Sequence, residues 1–267
     1  MIRNSIFAGH WYPADPDQLD QLVTWEPEEG RKARIAILPH AGLYFSHRGI
    51  AHFFARLADG VDRIILLAPS HYAYLRPDHI LTGDFTGYQT PYGVIPGKPL
   101  SGFDTGGESA IWQEHAVEMV LPFIAKKGGI SVSTGLISQV SDPKPLAQTL
   151  LSQMDEHTAL IASSDFTHYG ASFDHIPYGA RVTLEVRDKV EEEDRSLAGI
   201  LASGDAKEAL AFCRDHRSTV CGIAPGTIAA TVAKHLGLEG EVADYYTSYD
   251  LGGGDDSFVG YATVLWG

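Results

Sequence analysis

Ala36-Ile37-Leu38-Pro39-His40-Ala41-Gly42-Leu43-Tyr44-Phe45-Ser46 sets a short apolar run against a proline, a histidine and a glycine-containing turn. The run from Arg34 to Leu38 is partly β-branched and bounded by breakers, which predicts a buried strand. His40 then falls at the strand's carboxyl end, where open α/β sheets place ligands and chemistry. Residues 46–58 follow with Ile50, Phe53, Phe54 and Leu57 at helical spacing, and Ser46 is the expected N-cap. A second buried strand, Arg63-Ile64-Ile65-Leu66-Leu67-Ala68, runs into Pro69-Ser70-His71. The arrangement thus repeats after roughly thirty residues, the length of one βαβ unit. Strands joined by a helical crossover are expected to be parallel, which puts His40 and His71 at one sheet edge. Thr158 to Ser163 makes a third such strand and leads to Asp165 and His168. The pattern predicts an α/β fold with a central, mainly parallel β-sheet flanked by helices.

Working outward, Asp15 or Asp17 is placed to cap a short helix after the aromatic entry His10-Trp11-Tyr12, where Trp11 packs as a lid or lines a pocket. Residues 78–100 read as an irregular hairpin, and Glu108 to Lys127 as a helical stretch that Pro122 should kink or end. On that helix Glu114, His115 and Glu118 read as a solvated face, as does Glu191-Glu192-Glu193-Asp194 on a long helix within 177–202. Asp165 and His168, three apart, would share a face on a helical turn. Val220-Cys221-Gly222 opens an apolar helix to about Leu236, a position where helix N–H groups favour a thiolate, although a buried cysteine is more often a small hydrophobe. Two closing strands, 241–248 and 257–265, flank Gly252-Gly253-Gly254-Asp255-Asp256, which lacks the strand–loop–helix setting of a phosphate loop.

Composition narrows the function. The 267 residues carry 34 acidic and 20 basic side chains, a net charge of −14, with no basic cluster of the kind nucleic acid requires. Two cysteines make no disulfide framework, and no apolar run is long enough for a signal peptide or a bilayer span. A cytoplasmic protein without nucleic-acid or membrane partners is expected. Walker, Gly-x-Ser-x-Gly, His-Glu-x-x-His and dinucleotide motifs do not occur. What remains is His40, His71 and His168 at strand ends, with Asp165 and Cys221, donor types suited to iron, copper or zinc.

Several segments carry a family resemblance: Pro39-His40-Ala41-Gly42, Pro69-Ser70-His71, Thr90-Pro91-Tyr92-Gly93, Glu114 to Phe123, Ser163 to Gly170, Val220-Cys221-Gly222, and Tyr249-Asp250 through Phe258-Val259-Gly260-Tyr261. In this order along nearly the whole chain, they resemble the MEMO family, called AmmeMemoRadiSam system protein B in bacteria and archaea. That family is similar in fold to class III extradiol dioxygenases. The resemblance implies one MEMO-like domain over 1–267 and a metal held by His40, His71 and Cys221. It places Asp165 and His168 beside the metal and brings His115 into the pocket; from its chemistry His168 is expected to serve as acid/base, with Asp165 orienting it. Trp11 would form a wall where eukaryotic members have been linked to phosphotyrosine-peptide binding. Leu43, His47 and Ala68 depart from the family pattern and are expected to alter the pocket rim. The implied function is metal-dependent redox chemistry on a small-molecule or peptide ligand, with iron ahead of copper. A functional link to AMMECR1-like and radical SAM proteins is also implied. A non-catalytic module for an anionic or phosphotyrosine-type peptide and a zinc-dependent hydrolase are the alternatives.

Overall fold

The alternation of apolar side chains along the strands builds two cores, one on each face of a sheet. The structure is a computed structural model and describes residues 1–254 and 256–267; Asp255, in the glycine-rich loop, lies outside the described residues. The chain forms β1 (Ile2–Arg3), α1 (Pro16–Leu19), β2 (Ile35–Leu38), α2 (Leu43–Arg56), β3 (Arg63–Ala68) and β4 (Leu81–Thr82). A hairpin of β5 (Gly87–Thr90) and β6 (Gly93–Pro96) precedes the helices α3 (Glu108–Gln113), α4 (His115–Glu118) and α5 (Leu121–Lys127). Then come β7 (Ser131–Leu136), α6 (Lys144–Leu151), β8 (Thr158–Ser163) and β9 (His168–Gly170). The helices α7 (Leu184–Ala202), α8 (Ala206–Asp215) and α9 (Ile223–His235) lead to β10 (Gly240–Thr247) and β11 (Ser257–Trp266).

The main sheet runs β10-β11-β2-β8-β3-β7-β4, with β9 paired to β11, and β1-β5-β6 form a small second sheet. Ala36, Leu38, Ile64, Leu66 and Ile161 face the core beneath α2, α4 and α5. Ile35, Ile37, Ile65, Leu67 and Leu160 face the other, beneath α6 to α9. The sheet is mixed rather than mainly parallel: β2, β8, β3 and β7 are parallel, but β10, β11, β9 and β4 pair antiparallel. A short loop joining β10 to β11 permits only an antiparallel ribbon, and that ribbon docks on the free edge of β2. No helix among the described residues is long and apolar enough to cross a membrane.

Local capping differs from expectation at two places. Helix α2 begins at Leu43, and Ser46 lies inside it, donating from Oγ to Ala41 O at 2.7 Å. The 108–127 segment is three helices, because Glu114 is extended (φ −84°, ψ 113°) and caps α4 through Ala116 N. Pro122 starts α5 rather than kinking a longer helix, at a position where a missing N–H costs nothing. Asp15 caps α1 as the sequence suggests, accepting from Gln18 N at 3.0 Å.

Glu118 and Arg3 are both fully buried and pair at 2.6 Å. All five guanidinium N–H groups of Arg3 are used, the others on the carbonyls of Asn4, Ile111, Trp112 and Glu114. Glu118 also accepts from Ile6 N, Phe7 N and Tyr12 Oη at 3.1, 2.9 and 2.6 Å. The pair therefore ties residues 3–12 onto α4, against the reading of Glu118 as a solvated charge. Trp11 is carried on this tethered segment.

At the far edge, His52 on α2 stands between two carboxylates. Its Nδ1 lies 2.7 Å from Glu28 Oε1, and Nε2 lies 3.3 Å from Asp244 Oδ2, close enough for attraction although not aligned as a hydrogen bond. Asp244 and then Glu28 raise the imidazole pKa above its usual value, against a partial burial that lowers it. A raised folded-state pKa adds stability that is complete below the unfolded-state pKa and is lost as pH rises through the folded one. The melting-temperature gap between wild type and His52→Gln should accordingly be largest near pH 5–6 and shrink toward pH 8. A gap that is constant or widens with pH would exclude a charged His52.

Candidate metal centre

The carboxyl ends of β2, β8 and β3 lie side by side and deliver their turns to one place. His40 follows β2, Asp165 follows β8 and His71 follows β3. The two imidazoles, two strand spacings apart in the sheet, lean together to a ring separation of 5.3 Å. Cys221 enters from the start of α9, with Sγ 3.2 Å from His40 Nε2. Its approach depends on Gly222: a Cβ there would lie 2.3 Å from Ser164 Cβ and 2.4 Å from Ser163 O. Gly49 does the same for α2, since a Cβ would lie 2.8 Å from Pro39 Cγ in the turn before His40.

The hydrogen bonds fix which imidazole nitrogens are free. Ser163 Oγ donates to Ala116 O at 2.8 Å, so it accepts at 2.8 Å from His40 Nδ1–H. His71 Nδ1–H donates to Glu114 Oε1 at 2.8 Å, and the His71 backbone N–H donates to Oε2 at 2.7 Å. Both rings thus keep Nε2 as an acceptor, and His71's orientation by a carboxylate is the support commonly found behind metal-ligating imidazoles. One ligand atom from each of His40, His71 and Cys221 lies within 4.8 Å of the others. Donors around a tetrahedral ion sit roughly 3.5 Å apart for bonds of about 2.0–2.3 Å, so the set fits a single ion after small movements. His71, Glu114 and His115 form a second close group that shares His71.

Burial works against charge on His40, His115 and Cys221. It depresses His40 well below the usual imidazole value, helped by repulsion from His71 and His168. It likewise lowers His115 to about 3. The Cys221 thiol is pushed well up by burial and by the Asp165 charge. This reverses the expectation that the helix start would favour a thiolate, since removal from water outweighs the dipole. Glu114 is raised by burial, but its bonds from His71 override this and leave it below its usual range.

A cleft of about 630 Å³ opens over these groups. His115 stacks on His71 at 4.4 Å and packs against Trp11 at 4.6 Å with the rings tilted by 41°, so Trp11 and His115 form one wall. Tyr72 Oη meets His115 Nδ1 at 3.0 Å. His168 lines the opposite side, in strand β9 rather than in a helix. Its Nδ1–H donates to Thr219 O at 3.1 Å, leaving Nε2 as the acceptor. Asp165 does not orient His168. Its Oδ1 accepts instead from His40 N and Ala41 N at 2.7 and 3.3 Å, because the chain from 165 to 168 is not helical and the two side chains have separate partners. Asp165 is 5 % exposed and burial raises its carboxyl.

Of the seven residues singled out from the sequence, Trp11, His40, His71, His115, Asp165 and His168 line this cleft, and Cys221 meets it through His40. Sequence reasoning missed His10 on the rim and the supporting Ser163, Glu114 and Thr219. Only Glu114, next to His115, offered a local signal, and it read as solvated. Leu43, His47 and Ala68 are not among the lining residues, whereas Tyr44 and Phe45 are. Asp194, also read as solvated, is 2 % exposed. It accepts from Thr167 Oγ1 at 2.6 Å, Thr167 N at 3.2 Å and Tyr245 Oη at 2.9 Å, which anchors the turn before His168. Burial pushes its carboxyl up to about 7 against those bonds.

Comparison with known proteins agrees with the residue pattern. A family model described as Memo-like protein matches residues 3–265. A MEMO1 family protein of Thermococcus onnurineus is 29 % identical, with 100 % of this chain aligned to 99 % of the relative. A MEMO1 family protein of Methanosarcina barkeri is 28 % identical over 99 % of both. The Caenorhabditis elegans protein memo-1 homolog is 27 % identical over 98 % of this chain and 81 % of its own length. With the match spanning nearly every residue, the chain belongs to the Memo family.

Proposed function

We propose that the protein is a metal-dependent redox enzyme, with iron ahead of copper, whose substrate enters the histidine-lined cleft. The observation that carries this reading is the pair of imidazoles with Nδ1 occupied and Nε2 left as acceptor, His40 Nε2 lying 3.2 Å from the Cys221 sulfur and His71 in the same close group. His40, His71 and Cys221 would hold the ion, which when bound supplies Lewis acidity and one-electron chemistry. The remaining roles belong to this chain's own groups. His168 Nε2, freed by the Thr219 carbonyl, takes or returns a substrate proton. Asp165 locks the backbone that carries His40. Trp11 and His115 offer an aromatic wall to a ring or amide plane. The family resemblance, which implies a fold similar to class III extradiol dioxygenases, is the reason for preferring redox chemistry. A thiolate in place of a carboxylate is itself oxidisable, which argues for redox function in general over catechol cleavage in particular.

The same donor set would serve a zinc hydrolase, and metal identity separates the two. An anionic or phosphotyrosine-peptide binder is less well supported: among the described residues, neither Lys nor Arg lines the cleft. The test is oxygen uptake by iron-loaded protein with a panel of catechols and thiols. Wild type should show substrate-dependent uptake, and His168→Ala should lose it by about 100- to 10,000-fold while keeping its metal. Equal uptake by both would remove His168 from the chemistry.

A further inference from the structure

The molecule has a second cleft, of about 680 Å³, that shares no residue with the histidine-lined one. It lies between α6 and α8 on a floor formed by α9. Its lining on α8 is Ala206 together with Lys207, Leu210, Ala211 and Arg214, the last four being an i, i+3, i+4, i+7 face of that helix. Lys234 of α9 and Lys144 at the start of α6 complete a cationic rim around the apolar Leu210 and Ala211. In a chain of net charge −14, four of twenty basic residues, from three helices, converge here. The three lysines make no ion pair among the described residues, where the lysine ion pairs use Lys126 and Lys189, and Arg214 pairs with its exposed neighbour Asp215. Two carboxylates also line the cleft, but each has an oxygen turned onto a backbone N–H, Asp142 on Lys144 at 3.1 Å and Asp205 on Glu208 at 3.0 Å. Four cations against these two carboxylates and Asp215 leave a net charge of one positive at the cleft.

The charges fall at two ends. Lys207 lies at the start of α8, beside Gly204, whose own neighbour is the Lys234 side chain. Arg214 lies at the other end of α8, where Lys144 begins α6 after the carboxyl end of β7. Seven residues of helix separate Lys207 from Arg214, a rise of about 10 Å. The volume is that of a small-molecule site, and Lys as the dominant cation suits phosphate as a point charge. We infer that this cleft binds a small bisphosphorylated compound, one phosphate at each end and the spacer over Leu210 and Ala211. The histidine-lined cleft, without Lys or Arg among its described lining residues, does not take it. The protein keeps its anion site apart from its metal centre.

The test is titration of the full chain with fructose 1,6-bisphosphate and with fructose 6-phosphate, followed by amide chemical shifts at low salt. The bisphosphate should saturate with shifts confined to 141–146, 204–214 and 231–234, at least about tenfold more tightly than the monophosphate, as expected for one added charge-assisted contact. Lys207→Ala/Lys234→Ala should remove that advantage, and His71→Ala should leave it unchanged. No saturation by about 10 mM, equal binding of both ligands, or shifts around His40 and His168 instead would overturn the inference. Tighter binding of an acidic peptide than of the bisphosphate would also overturn it, making the groove a protein-docking surface.

Discussion

Replacing Glu118 with alanine should lower the free energy of unfolding by about 3–5 kcal/mol, the usual cost of stripping one partner from a buried ion pair. The size follows from what is left behind. Arg3 would remain fully buried with its charge uncompensated, and Ile6 N, Phe7 N and Tyr12 Oη would lose their acceptor together. Glu118→Gln should cost less, since one amide oxygen can still accept, but its NH₂ would face donors. The loss should also show at the cleft. Residues 3–12 are tied down through Glu118, and Trp11 packs against His115, so freeing the segment should alter tryptophan emission before global unfolding. Denaturant unfolding and fluorescence check both. A change under about 1 kcal/mol would mean that water replaces the carboxylate and that the network is not a tether.

The second large effect concerns the metal. Cys221→Ala should weaken metal affinity by more than about 100-fold, beyond the 10- to 100-fold typical for loss of a group that merely orients a ligand. Glu114→Gln falls in that lesser range, because its amide oxygen can still accept from His71 Nδ1–H but without the charge. Affinity should fall as pH falls, since the Cys221 thiol, held protonated by burial, must release its proton to bind. Competition titration with a chromophoric chelator measures all three. Full affinity in Cys221→Ala would leave the two imidazoles as the only anchors and would undo the assignment of the thiolate.

The site residues that the sequence exposed were those that local geometry controls. His40, His71 and Asp165 each follow an apolar strand within a few residues, and a strand's end fixes where its turn emerges. Cys221 was harder to place. Its approach depends on Gly222 packing against Ser163 and Ser164, a contact between residues nearly sixty apart that no short pattern records. Glu114, Glu118 and Asp194 misled for a common reason: polar residues on a helix look solvated until another segment covers them. The covering pieces here are the 71–72 turn, the 3–12 segment and Thr167 with Tyr245. The mixed sheet follows the same logic. That β10 and β11 form a ribbon was readable from their short loop, but not that β11 would dock on β2.

The central claim is a single metal held by two imidazoles and one thiolate, and X-ray absorption on anaerobically purified native protein tests it most directly. The account predicts about one first-row transition ion per chain, with one sulfur neighbour near about 2.3 Å and two nitrogens near about 2.0–2.1 Å. A metal shell without sulfur, or a native protein that carries no transition ion, would contradict it.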